Sequence, residues 1–89
     1  MKIILAGAGA VGAHLTKMLS NENHDITVID TDPDRLRIVG STLDVLTLEG
    51  SATSIGILNE AKIKKADLFI AVTQGEATNI SAAIISKQL

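Results

Sequence analysis

The chain has 89 residues, is 46% hydrophobic, carries a formal net charge of −2 and contains one aromatic residue and no cysteine. A chain of this size forms one small domain that buries roughly 60–65% of its unfolded surface, and its mean hydropathy of +0.33 marks it as globular rather than disordered. These numbers exclude disulfides and thiolate chemistry, a basic nucleic-acid or anionic-membrane surface and, with Phe69 as the single aromatic, a base-stacking platform.

In chain order, the first strand is predicted over KIILA (2–6), a run free of Pro and Gly that suits a pleated, buried segment. It is too short for a signal peptide. It leads into ILAGAGAVGAHL (4–15), a glycine-laced bend that opens a helix whose apolar stripe is Val11, Leu15, Met18 and Leu19. Asn21 and Asn23 end that helix. The second strand is DITVI (25–29), followed by a helix capped by Asp32, with Pro33 in its first turn, Leu36 and Val39 on its inner side and Gly40 at its end. The third strand is DVLTL (44–48), followed by a short helix over about 54–60. The fourth is DLFIAV (67–72), and a last helix begins at the capping-box spacing of Thr73 and Glu76 and runs to Lys87, with Ile80, Ala83 and Ile84 inward.

Strand and helix alternate four times, which requires parallel pairing through right-handed crossovers. The fold class is therefore α/β. We expect a Rossmann-like doubly wound parallel sheet of order 3-2-1-4, one domain over residues 1–89. In that order DLFIAV is an edge, although it is apolar at nearly every position, and a bare apolar edge invites pairing with another chain. The expectation is a domain truncated after the fourth helix, or an edge covered by a partner. No apolar run approaches the ~18 residues needed to span a bilayer. Direct membrane insertion is not expected, and the default address is the cytoplasm.

Parallel topology gathers the carboxyl ends of the strands on one rim, where ligands of such sheets bind. The rim carries G-x-G-x-x-G, formed by Gly7, Gly9 and Gly12, with Ala8, Ala10 and Val11 between them. It follows a strand, opens a helix and is trailed by Asp30, 18 residues past Gly12, the context a dinucleotide fingerprint requires. Gly7 allows the turn, Gly9 lets a pyrophosphate approach, Gly12 lets helix and strand press together, and the helix N-terminus faces the phosphates. Because Asp32 already caps the second helix, Asp30 is left to accept the hydroxyls of an adenosine ribose, with Thr31 beside it. A carboxylate there repels a 2′-phosphate and disfavours NADP. Ser51 and Ala52, past the third strand, are expected on the adenine side, and Thr73 is a cap that also reaches the ligand. His14, His24, Lys62, Lys64 and Lys65 read as solvated or as lying at the opposite rim. No catalytic residue and no metal site are expected.

The stretches MKIILAGAGAVGAHLTKML, HDITVIDTDPDRL, LEGSAT and ADLFIAVTQGEATNISAA together resemble the N-terminal nucleotide-binding lobe of TrkA-type proteins, the RCK domains that regulate potassium uptake and potassium channels. The resemblance covers essentially the whole chain. Its most specific part is the AVT…E-x-x-N arrangement after the fourth strand, which ordinary dehydrogenases lack. It implies a regulatory subunit that binds NAD(H) or ATP/ADP and gates a membrane potassium transporter subunit. That subunit would be a homo-oligomer held at the inner face of the membrane through its partner. It carries Gly7, Gly9, Gly12 and Asp30 over as nucleotide contacts, together with Ser51, Ala52, Thr73 and Asn79, and implies a further strand and helix after Leu89. The chain departs from the family pattern at Ala10, Ala13 and Ser51, where relatives often carry charged residues. Two other readings stand beside it. One is the cofactor lobe of an NAD-dependent dehydrogenase whose catalytic domain lies elsewhere; the other is an oligomerisation module without a ligand. Turnover by the full protein separates the first from a regulator.

Overall fold

The computed structural model describes residues 1–72. The expected fourth helix, and with it Thr73 and Asn79, lies outside them. The elements are β1 (Lys2–Ala6), α1 (Ala10–Ser20), β2 (Asp25–Asp30), α2 (Pro33–Thr42), β3 (Leu46–Glu49), α3 (Ile55–Glu60), a 3-10 turn (Ile63–Lys65) and β4 (Leu68–Ala71). All pairings are parallel, as the alternation of strand and helix requires, and the sheet order is β3-β2-β1-β4, as expected. The architecture is a Rossmann-like α/β fold.

Alternation along the strands sorts the core into two layers. Ile3 pairs with Ile26 and Leu5 with Val28, and this face receives Leu36 and Val39 of α2 with Ala13 and Leu19 of α1. Ala6 pairs with Ile29, and together with Ile4 they meet Ala52, Leu58, Ala61 and Ile63 on the other face. Helices cover both faces of β1 and β2, which is why these strands read as nearly unbroken apolar runs. The flanking strands are more open: β4 lies at one edge, and Leu46 on β3 at the other is largely exposed.

Local chemistry sets most boundaries. Asp32 accepts a hydrogen bond from the Asp34 N–H at 2.9 Å and Pro33 occupies the first helical position, so α2 starts as expected. Ser54 caps α3 by accepting from the Ile57 N–H at 3.4 Å. Asn21 closes α1, and Asn23 takes the left-handed conformation with φ 61° that lets the chain turn into β2.

Three expectations are corrected. Gly40 does not end α2, which runs on to Thr42 and stops at Leu43 in extended conformation. The hydroxyls of Ser41 and Thr42 both donate to the Ile38 carbonyl at 3.0 Å, so side chains serve the last turn, two residues past the glycine expected to end the helix. The third strand begins at Leu46, two residues later than its apolar run suggested.

The third correction concerns α1. Val11 is 64% and Met18 53% exposed, while Gly12 and Thr16 are buried. The face turned to the sheet therefore follows Gly12, Thr16 and Leu19, because Gly12 must lie against β1 and Thr16 is one turn further along the same line. Thr16 tolerates burial because its hydroxyl donates to the Gly12 carbonyl at 2.8 Å.

The layered core predicts a sharp contrast between two truncations measured by urea unfolding. Leu58→Ala, at a fully buried position, costs about 3–5 kcal/mol, whereas Ile38→Ala, at a position that is 62% exposed, costs about 0.5 kcal/mol or less.

Candidate functional site

β1 ends at Ala6, and the chain reverses through Gly7, Ala8 and Gly9 before α1 begins at Ala10. Gly7 has φ 118°, a conformation closed to side-chain-bearing residues, and its N–H donates to the Ile29 carbonyl at 2.7 Å, pinning the bend to β2. Gly12 has a different reason to be glycine. A Cβ there would stand 1.9 Å from the Gly7 carbonyl oxygen, so α1 touches the bend only because the side chain is missing. Gly9, with φ −70° and ψ −168°, has an extended backbone that any residue adopts. Glycine there is not a requirement of its own backbone angles.

Gly9 is the N-cap of α1 but supplies no side-chain acceptor, and no acidic residue lies in the first turn. The first helical bond runs from the Ala13 N–H to the Gly9 carbonyl at 2.8 Å. The N–H groups of Ala10, Val11 and Gly12 therefore have no acceptor within the helix, and they emerge at its positive end. Ala10 and Val11 are exposed there. This end of α1 suits an anion.

Asp30 closes the other side of the bend. Its Oδ2 accepts from the Ala8 N–H at 2.7 Å and its Oδ1 from the Asp32 N–H at 2.8 Å. The structure thus brings Gly7, Ala8, Gly9 and Asp30 together, with Thr31 exposed beside them. Asp32 does take the cap of α2, yet Asp30 is not left unengaged as the sequence suggested; both its oxygens already hold backbone N–H groups. The local half of this arrangement, Asp30 to Asp32, is an Asx-turn spacing that the sequence carries. The bond to Ala8, 22 residues away, leaves no local signal. Each carboxylate oxygen has a second lone pair, so the group still accepts hydroxyl donors.

Two other carboxylates nearby are differently placed. Asp32 pairs with Arg35 at 3.6 Å and Asp34 with Arg37 at 3.1 Å. Among the described residues Asp30 has no such cationic partner and holds only backbone N–H groups.

Beyond β3, the Ser51 hydroxyl lies 2.7 Å from that of Thr53 and accepts from the Thr53 N–H at 3.2 Å, so it shapes the turn that leads into α3. The methyl group of Ala52 points into the core beside Leu58 and Ile29. Both residues stand on the rim loop, with the Ser51 hydroxyl engaged in its own turn. His14 is exposed on α1. His24 lies at the opposite rim, its Nδ1 3.2 Å from the Met1 amine and its Nε2 3.3 Å from Glu22. Lys62, Lys64 and Lys65 are exposed ahead of β4. Among the described residues no group of three or more His, Cys, Asp or Glu side chains is placed to hold a metal ion, and no helix is long and apolar enough to cross a membrane.

Residues 3–89 match the family model of the TrkA-N domain. The whole chain is 43% identical to the Trk system potassium uptake protein TrkA of Halomonas elongata, covering 20% of that protein. It is 39% identical to a TrkA homolog of Pyrococcus abyssi over its whole length, covering 39% of the homolog. Over 97% of the chain it is 41% identical to TrkA of Vibrio alginolyticus, covering 19% of that protein. The chain thus spans about a fifth to two fifths of the length of these relatives. Among solved structures, the Kef CTD of Shewanella denitrificans in an AMP-bound form superposes with a TM-score of 0.86 at 18% identity, over 99% of this chain and 52% of that one. That likeness is one of fold.

The contact between Gly12 and Gly7 gives a direct test. Gly12→Ala forces α1 away from the bend, because the atom met is backbone rather than a yielding side chain. We expect a loss of about 2 kcal/mol or more in urea unfolding, in a helix interior where alanine is otherwise favoured by about 1 kcal/mol.

Proposed function

Because the chain belongs to the TrkA-N domain family, we propose that it is the nucleotide-binding part of a potassium-uptake regulator, acting by binding and not by chemistry. The observation that carries this reading is the placement of the Asp30 carboxylate against the glycine bend, 2.7 Å from the Ala8 N–H, next to a helix start whose first-turn N–H groups have no acceptor within the helix. An adenine nucleotide matches both features. Its phosphates lie over the first turn of α1, and its ribose hydroxyls donate to the spare lone pairs of Asp30. Each of these charge-assisted bonds is worth about 1.5–3 kcal/mol net. The AMP-bound state of the Kef CTD neighbour supports the adenosine half of this assignment.

NAD(H) and ATP/ADP share that half, and we take either as the ligand. NADP is disfavoured. Its 2′-phosphate would meet the Asp30 carboxylate, and the two nearest arginines are engaged by Asp32 and Asp34.

The names of the relatives support a membrane potassium transporter as the partner, with this domain at the inner face of the membrane and repeated in a homo-oligomer. For such a subunit to gate its partner, ligand must favour one packing of neighbouring lobes over another, since equal affinity for both shifts nothing. Ser51, Ala52, Thr73 and Asn79 belong to this proposal as further contacts on the adenine and ribose side.

A thermal-shift panel of NAD, NADH, ATP, ADP and NADP tests it. At ~100-fold excess over the dissociation constant, a ligand stabilises by about 2.7 kcal/mol, which in a domain of this size raises Tm by roughly 10 °C or more. At least one of the first four should do so, and NADP should do little. Asp30→Ala should lose most of the ligand-induced shift while keeping its far-UV circular dichroism; a variant that responds like the parent would refute the ribose assignment.

A further inference from the structure

Three rim loops meet at one residue. The carboxylate of Asp30 holds the glycine bend through the Ala8 N–H at 2.7 Å and the β2–α2 turn through the Asp32 N–H at 2.8 Å. Its main-chain carbonyl accepts from the Gly50 N–H at 2.9 Å, which ties in the loop after β3. We propose that Asp30 is a positioning residue for the phosphate-facing loop, and not only an acceptor for the sugar. It sets the glycine bend before any ligand arrives, so part of its contribution to phosphate binding passes through Ala8. The loop-setting claim is independent of the nucleotide reading; its consequence for affinity rests on that reading.

The physical need for such a tether is local. Ala8 stands between Gly7 and Gly9, and glycine loses more conformational freedom on ordering than any other residue. Gly7 is fixed by its bond to Ile29, and the Ala8 methyl group is buried on the face of the core that Leu36 and Val39 cover. The peptide that joins Gly7 to Ala8 carries both the carbonyl that Gly12 of α1 approaches and the N–H that Asp30 holds, so the Asp30 bond restrains the peptide on which the start of α1 rests. That bond is short and charge-assisted, the strong class of hydrogen bond. The Asp32 N–H, in turn, locks the rotamer of the carboxylate. With one lone pair of each oxygen used by the protein and one left, ribose hydroxyls add to this network without breaking it.

Asp30→Asn separates the two roles. The side chain keeps its shape but offers one acceptor and one donor, so whichever way it flips, either Ala8 or Asp32 faces an N–H with its own N–H. In the full chain without nucleotide, amide hydrogen exchange at Ala8 or Asp32 should rise about tenfold or more, while Ile4 and Val28 in the strands stay within about twofold of the parent. Calorimetric titration then compares ADP with 2′,3′-dideoxy-ADP, which has no ribose hydroxyls for Asp30 to accept. If Asp30 positions the loop, the substitution weakens dideoxy-ADP binding by about tenfold or more as well. Unchanged exchange at both amides, or dideoxy-ADP affinity within about twofold of the parent, overturns the proposal. If the parent binds neither compound, the nucleotide reading fails and the exchange measurement alone decides the loop-setting claim. Should Asp30→Asn not fold, Asp30→Glu provides the same readouts, because it keeps the charge while moving the oxygens by one methylene away from both N–H groups.

Discussion

Helix α1 lies so close to the end of β1 that a single methyl group does not fit between Gly12 and the Gly7 carbonyl. Much of the domain follows from that approach. It fixes the roll of α1, so that Thr16 and Leu19 face the sheet and Val11 and Met18 face outward. It also fixes where α1 begins, and so where the N–H groups of its first turn emerge relative to the strand ends. A longer standoff would give α1 room for larger inward side chains, but it would carry those N–H groups away from the Asp30 carboxylate.

The burial of Thr16 illustrates how such a contact is accommodated. A hydroxyl at a core position costs free energy unless it is bonded, and here it donates to the carbonyl of Gly12 itself. The small-residue contact and its polar neighbour form one unit. On the opposite face of the sheet, Leu58 of α3 and the following Ala61 pack with Ile4 and Ile29, and the buried polar residue there is Thr27, paired with Ile4 across the strands.

The rim opposes two kinds of charge. The start of α1 presents donors and the positive end of a helix dipole, while the β2–α2 turn presents carboxylates, two of them paired with arginine and one, Asp30, tied to backbone N–H groups. An elongated ligand with an anion at one end and neutral hydroxyl donors at the other matches that polarity, and a ligand with a second anion at the sugar does not. Such a surface distinguishes ligands by where their charge sits.

The amino-acid sequence by itself determined the parallel order of the strands, the two-faced core, the capped start of α2 at Asp32 and Pro33, and the meeting of glycine bend and Asp30 at one rim. Each of these follows from patterns within a few residues, or from the rule that strands joined by helices pair in parallel. Tertiary structure decided the rest. An apolar stripe on α1 suggested Val11, Leu15, Met18 and Leu19 as the inward face, but the distance at which a helix packs is set by its partner, and here the strand end admits only glycine. Gly40 reads as a stop in isolation, yet α2 continues through it to Thr42, where hydroxyls bonded to a carbonyl of the preceding turn serve its end. The bond from Ala8 to Asp30 joins residues 22 apart. It exists only once β1 and β2 lie side by side, because a hydrogen bond depends on a distance in space that no local pattern encodes.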